Sequence, residues 1–101
     1  MMNGHRLNER EMGLLVGLFR RHREIEQVIL FGSRAKGNAR PNSDIDLAIV
    51  GICDDLAMEA LARELEALPL PYRFDLKSLT TVRHRALREH IERVGIVIHA
   101  R

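Results

Sequence analysis

Residues 27–50 read QVILFGSRAKGNARPNSDIDLAIV, and the fold turns on this stretch. Its first five positions, Gln27-Val28-Ile29-Leu30-Phe31, form a short apolar run rich in β-branched residues and stopped by Gly32, the pattern of a strand. Residues 32–43 carry Gly, Asn, Ser and Pro and read as a loop. The opening of that loop, Ser33 to Lys36, has the composition of one helical turn with Ser33 as its N-cap. Residues 44–52 then alternate, with Ile45, Leu47 and Ile49 directed one way and Asp44, Asp46 and Ala48 the other. A strand, a loop opening on Gly-Ser, and a second strand opening on Asp-x-Asp are thus expected in succession.

Working outward, Met12, Leu15, Val16 and Phe19 recur at i, i+3, i+4, i+7 and predict an amphipathic helix over residues 9–23. Beyond the second strand, Asp54 and Asp55 are good N-caps for a helix carrying Leu56, Ala60, Leu61, Leu65 and Leu68, which Pro69 and Pro71 end. Residues 72–76 read as a strand with Phe74 and Leu76 on one face and Arg73 and Asp75 on the other. A helix over residues 83–93 is expected to stop at Gly95 as a C-cap glycine, and Ile96-Val97-Ile98 forms a short last strand. The order α, β, (short α), β, α, β, α, β implies an α/β (α+β) domain, one small sheet with helices packed on it.

At 101 residues the chain is expected to be a single domain, 1–101, with little room for a second substrate-binding unit. The +2 formal charge and pI near 9.2 are mildly basic, and no block of like charge appears, so a nucleic-acid partner is not indicated. Cys53 is the lone cysteine, which excludes an internal disulfide and a cysteine metal site; after the apolar run 47–52 it is expected to be a buried, inert thiol. No apolar run approaches ~18 residues, and the polar first residues lack a signal-peptide segment, so no membrane is implied and the cytoplasm is the expected compartment.

The chemistry concentrates where the loop meets the second strand. Carboxylates at i and i+2 on a strand, Asp44 and Asp46, project from one face a few ångströms apart and repel each other. A divalent cation removes that repulsion, and hard carboxylate oxygens suit Mg²⁺ or Mn²⁺. Asp75 also lies opposite the apolar residues of its strand, and it would join the pair if the two strands are neighbours. Three such carboxylates can hold two metals ~3.5–4 Å apart, the arrangement that clamps attacking and leaving oxygens in phosphoryl transfer. Upstream, Gly32 lets backbone approach a phosphate closely, and Ser33 adds a hydroxyl and a helix-start N–H. Arg34 and Lys36 are further candidates for phosphate contact, as is Lys77 on the face of Asp75. Ser43 precedes the aspartates.

Gly32-Ser33, a ten-residue spacer and Asp44-Ile45-Asp46 resemble the signature of the polymerase-β-like nucleotidyltransferase superfamily. Gly32-Ser33-Arg34-Ala35-Lys36-Gly37 with Ser43-Asp44-Ile45-Asp46-Leu47 looks most like its small bacterial and archaeal minimal nucleotidyltransferase branch, and the resemblance runs over residues 28–75. It implies that fold, with a small mixed β-sheet, and an enzyme that takes ATP with Mg²⁺ (two ions) and transfers AMP with release of pyrophosphate. Asp44, Asp46 and Asp75 would be catalytic and bind the metal, Asp75 helping to activate the acceptor hydroxyl, while Gly32, Ser33, Arg34 and Ser43 would contact the nucleotide. Small members of the branch are paired with an all-helical HEPN-type toxin, for which they act as antitoxin, in some cases by adding AMP to a toxin tyrosine; a homo- or hetero-oligomer is possible.

Two rival functions stand beside this one: an antitoxin that neutralises its partner by contact alone, and a nucleotidyltransferase acting on a small molecule of aminoglycoside type. Other patterns lead nowhere. Gly32 to Gly37 starts a P-loop, but Asn38-Ala39 follows where Lys-Ser/Thr is required. The five histidines show no metal-ligand spacing and read as surface or edge residues. Arg85-x₄-His90 matches a short HEPN RNase pattern by coincidence in an arginine-rich chain.

Overall fold

The computed structural model describes residues 7–32, 44–80 and 85–101. Three helices, α1 (Glu9–Arg20), α2 (Asp55–Glu66) and α3 (Arg85–Val94), accompany four strands, β1 (Gln27–Phe31), β2 (Ile45–Val50), β3 (Phe74–Ser78) and β4 (Ile96–Ala100). The strands form one mixed sheet in the order β3-β2-β1-β4, with β1 antiparallel to both β2 and β4, and β2 parallel to β3. The expected α/β (α+β) class and element order hold; the expected turn at Ser33 to Lys36 lies outside the described residues. No helix among them is long and apolar enough to cross a membrane.

Strand alternation sorts the side chains into two layers. Val28, Leu30, Ile45, Leu47 and Ile49 pack with Leu15, Leu18 and Phe19 of α1 and Leu61 and Leu65 of α2. The opposite face carries Ile29, Phe31 and Ala48, packed with Leu79 and with Ile91 of α3. The central strands β1 and β2 are therefore apolar on both faces, as strands sandwiched between helices are.

Several boundaries and roles depart from expectation. α1 is shorter than residues 9–23, and Asn8 caps it by accepting from Glu11 N at 2.8 Å, while Glu11 Oε1 accepts from Asn8 N at 3.1 Å. Its buried stripe is Glu11, Leu15, Leu18 and Phe19, leaving Val16 at the rim of an outer groove. Glu11 is buried because its other oxygen accepts a hydrogen bond of 2.8 Å from Tyr72 Oη. β2 ends at Val50 because Gly51 turns at φ +112°, where a side chain would strike the Glu24 carbonyl. Cys53 consequently falls in the coil before α2 and is exposed, not buried. β3 runs two residues later than residues 72–76, in register with β2 from Ile45↔Phe74 to Ile49↔Ser78. Asp54 caps α2 through Leu56 N at 3.1 Å, as expected.

Gly95 serves α3 differently from a left-handed cap. Its φ is not positive; instead a Cβ there would collide with Ile29 Cγ2 and the Ile91 carbonyl. The residue is small because the helix end lies directly on β1, and its N–H closes the last turn onto Ile91 O at 2.8 Å.

Candidate functional site

The site grows from strand register. Asp46 is the second residue of β2 and Asp75 the second of β3, and in this parallel pair they are direct partners. On its other side Asp46 faces Phe31, the last residue of β1. Asp44 stands just before β2 at the same end of the sheet, exposed. The three aspartates thus share the end where β1 finishes and β2 and β3 begin, on the face that α3 covers further along. Phe74 and Leu76 lie on the opposite face of β3 against the larger core, which fixes Asp75 and Lys77 outward.

The charges feel one another. Asp46 is held above the ordinary carboxylate range, first because burial disfavours its charged form, then because Asp75 and Asp44 repel it; Lys77 pulls the other way. Lys77 Nζ lies 3.8 Å from Asp75 Oδ1. Among the described residues no three acidic, histidine or cysteine side chains are gathered tightly enough to hold a metal as they stand. Repulsion from Asp75 and Asp44 at Asp46 opposes closer approach of the bare carboxylates.

Gly32 completes the described part of the site. It adopts φ +78°, and a Cβ built on it would run into the Asp46 carboxylate. Only glycine leaves that space clear, so backbone and carboxylate lie side by side just past the end of β1. Ser33, Arg34, Lys36 and Ser43 lie outside the described residues. An open groove of about 490 Å³ on the outer face of α1, lined by Met12, Gly13, Val16 and Gly17 among others, holds none of the triad.

The donor set fits a hard divalent cation: two carboxylates paired on adjacent strands and a third just before one of them, the central one destabilised by its neighbours, beside a glycine backbone. Asp44, Asp46 and Asp75 are the residues that would hold such an ion. Asp54, as a helix cap, belongs to another part of the molecule. Reading the sequence alone missed Phe31 as the cross-strand neighbour of Asp46; its signal was its place immediately before Gly32.

Comparison with known proteins agrees with this architecture. A family model described as polymerase beta, nucleotidyltransferase matches residues 15–101. The "Probable protein adenylyltransferase MntA" of Haemophilus influenzae is 41% identical over 70 residues, which are 67% of this chain and 60% of that protein. The chain therefore spans 60% of the length of the curated relative it matches. A crystal structure of a toxin–antitoxin with AMP-PNP superposes with a TM-score of 0.75 at 26% identity, covering 89% of this chain and 73% of that one. A solved candidate minimal nucleotidyltransferase is 34% identical with a TM-score of 0.67, covering 94% of this chain and 95% of that one. The mixed sheet, the Gly32 turn beside Asp46 and the match over residues 15–101 lead to one conclusion: the chain belongs to the polymerase beta nucleotidyltransferase family.

Proposed function

We propose that this chain, working as one domain over residues 1–101, transfers AMP from ATP to a hydroxyl of a partner protein. The partner is an all-helical HEPN-type toxin, the acceptor one of its tyrosines, and the chain its antitoxin. The observation that carries this reading is the Asp46↔Asp75 register, with Asp44 at the same sheet end. Support for the substrate comes from the AMP-PNP held by the similar toxin–antitoxin structure, and for the acceptor class from the protein adenylyltransferase relative.

In the reaction the acceptor oxygen attacks the α-phosphorus, a new P–O bond forms, and the bond to the bridging α–β oxygen breaks to release pyrophosphate. Asp44, Asp46 and Asp75 would hold Mg²⁺ and so fix the triphosphate, and Asp75 would also receive the hydroxyl proton on a carboxylate oxygen. The bound ions supply charge neutralisation at the phosphates. Gly32 keeps the backbone clear of Asp46 so that the phosphates can lie beside it, and Ser33, Arg34 and Ser43 would complete the nucleotide contacts. The same reading takes the cytoplasm, where ATP is supplied, as the compartment of the reaction.

The test is transfer of label from α-labelled ATP to the purified partner, with Asp44→Asn and Asp46→Asn together expected to abolish it. Labelling that persists in the double variant would overturn the assignment. Neutralisation of the toxin in cells by that variant, with labelling lost, would instead identify an antitoxin that acts by contact.

A further inference from the structure

Lys77 has no part in the triad yet stands beside Asp75. It shares the outward face of β3 with Asp75, its Nζ 3.8 Å from Asp75 Oδ1, and it sits two register positions beyond the Asp46↔Asp75 pair, opposite Ala48. Its charge also reaches Asp46, where it opposes the push of the other two aspartates. The remaining ion pairs among the described residues link His22 to Glu24 and Glu64, and arginines to glutamates within α3. Lys77 is thus the cation that the described fold delivers to the aspartates. Its pair with Asp75 is long, and both side chains are about half exposed, at 46% and 52%. Such a pair adds little to fold stability, so stability is a poor reason for a lysine here.

We propose that Lys77 is a positioning residue with two alternating contacts: it is the counter-ion of Asp75 while no metal is bound, and a phosphate contact once metal and nucleotide arrive. The inference rests on the nucleotide-transfer reading above. An ammonium on a four-carbon stem is a compact charge with three rotatable donors, suited to changing partners without moving backbone. Against Asp75 it competes directly with a divalent cation, because both seek the same carboxylate oxygens. Toward a triphosphate the two cations cooperate, each meeting different oxygens. Removing Lys77 should therefore tighten metal binding and weaken nucleotide binding.

These opposite signs make the test. Mn²⁺ binding without nucleotide is followed by electron paramagnetic resonance, and AMP-PNP binding in the presence of Mg²⁺ by calorimetry, on wild type, Lys77→Met and Lys77→Arg. Lys77→Met is expected to bind Mn²⁺ about three- to tenfold more tightly, the effect of deleting one nearby positive charge in a solvated site. Its AMP-PNP affinity is expected to fall about tenfold, the loss of one charge-assisted contact. Lys77→Arg, which keeps the charge, should stay within about twofold on both counts. Both affinities falling together in Lys77→Met would mean a structural role and overturn the inference, as would an unchanged Mn²⁺ affinity. Failure of the wild type to bind Mn²⁺, or binding unaltered by Asp44→Asn with Asp46→Asn, would overturn the triad and Lys77 together, whereas loss of metal in the double variant with no response to Lys77→Met removes Lys77 alone.

Discussion

Gly32 and Asp46 occupy the tightest corner of the candidate site, and each has a measurable consequence. A methyl at Gly32 meets the Asp46 carboxylate, and φ +78° is unfavourable for an L side chain. Gly32→Ala is expected to cost about 1–2 kcal/mol of backbone strain and to displace Asp46, so that Mn²⁺ affinity drops more steeply than denaturation stability. Asp46 gives the reverse effect. Its pKa is higher folded than unfolded, through burial and then the charges of Asp75 and Asp44. An acid of this kind favours the folded state when protonated, and that advantage disappears as pH rises from about the ordinary 3.8 through the raised value. At neutral pH in chelator its charge opposes folding. Asp46→Asn should therefore melt higher by about a few degrees at pH 7 in EDTA, and no differently near pH 3, where the wild-type carboxyl is also neutral. A lower melting point at pH 7 would show that the repulsion is relieved in some other way. The Asp44–Asp46 pair was legible from i, i+2 spacing alone. The crowding of Gly32 on Asp46 was not, because it depends on how β1 and β2 pair.

Among the elements, α1 and the α3–β4 junction use glycine for opposite reasons. Cβ atoms added at Gly13 and Gly17 would meet nothing within 4 Å, whereas one at Gly95 would strike Ile29 and the Ile91 carbonyl. Gly13→Ala and Gly17→Ala are each expected to stabilise the chain by about 0.5–1 kcal/mol, through helix propensity and a less flexible unfolded state. Gly95→Ala is expected to destabilise it by about 1–3 kcal/mol. Chemical denaturation of the three variants checks both signs. Sequence reading found the three helices and four strands of the described residues, since their periodicities are local. It misplaced what depends on contact between elements. The Gly95 cap failed because the constraint comes from β1; Val16 lost its core place because Leu18 packs in the core instead; and the bounds of β3 follow its register with β2, which starts at Ile45↔Phe74.

At the scale of the molecule, the sheet separates structure from chemistry. The larger core lies on the face covered by α1 and α2, while the aspartates emerge at one end of the other face. Binding of Mg²⁺ should leave that core undisturbed. In amide correlation spectra, Mg²⁺ is expected to shift resonances around Phe31–Gly32, Asp44–Asp46 and Asp75–Lys77, and to spare Leu15, Leu18, Leu61 and Leu65; broad changes across the core residues would contradict this separation. The strand order could not be read from periodicity, because nothing local to β4 says that it pairs with β1.

The parallel joining of β2 to β3 has one more effect. Side chains alternate along a strand, so a slip of one residue between these two would send Asp75 inward and turn Phe74 and Leu76 out. A bare carboxylate in that core would be far costlier than the slip could repay. A chain that has closed its sheet has therefore already aligned its acids. Closing the sheet and setting Asp46 beside Asp75 are one event, because the same register that buries Phe74 and Leu76 pairs the two acids.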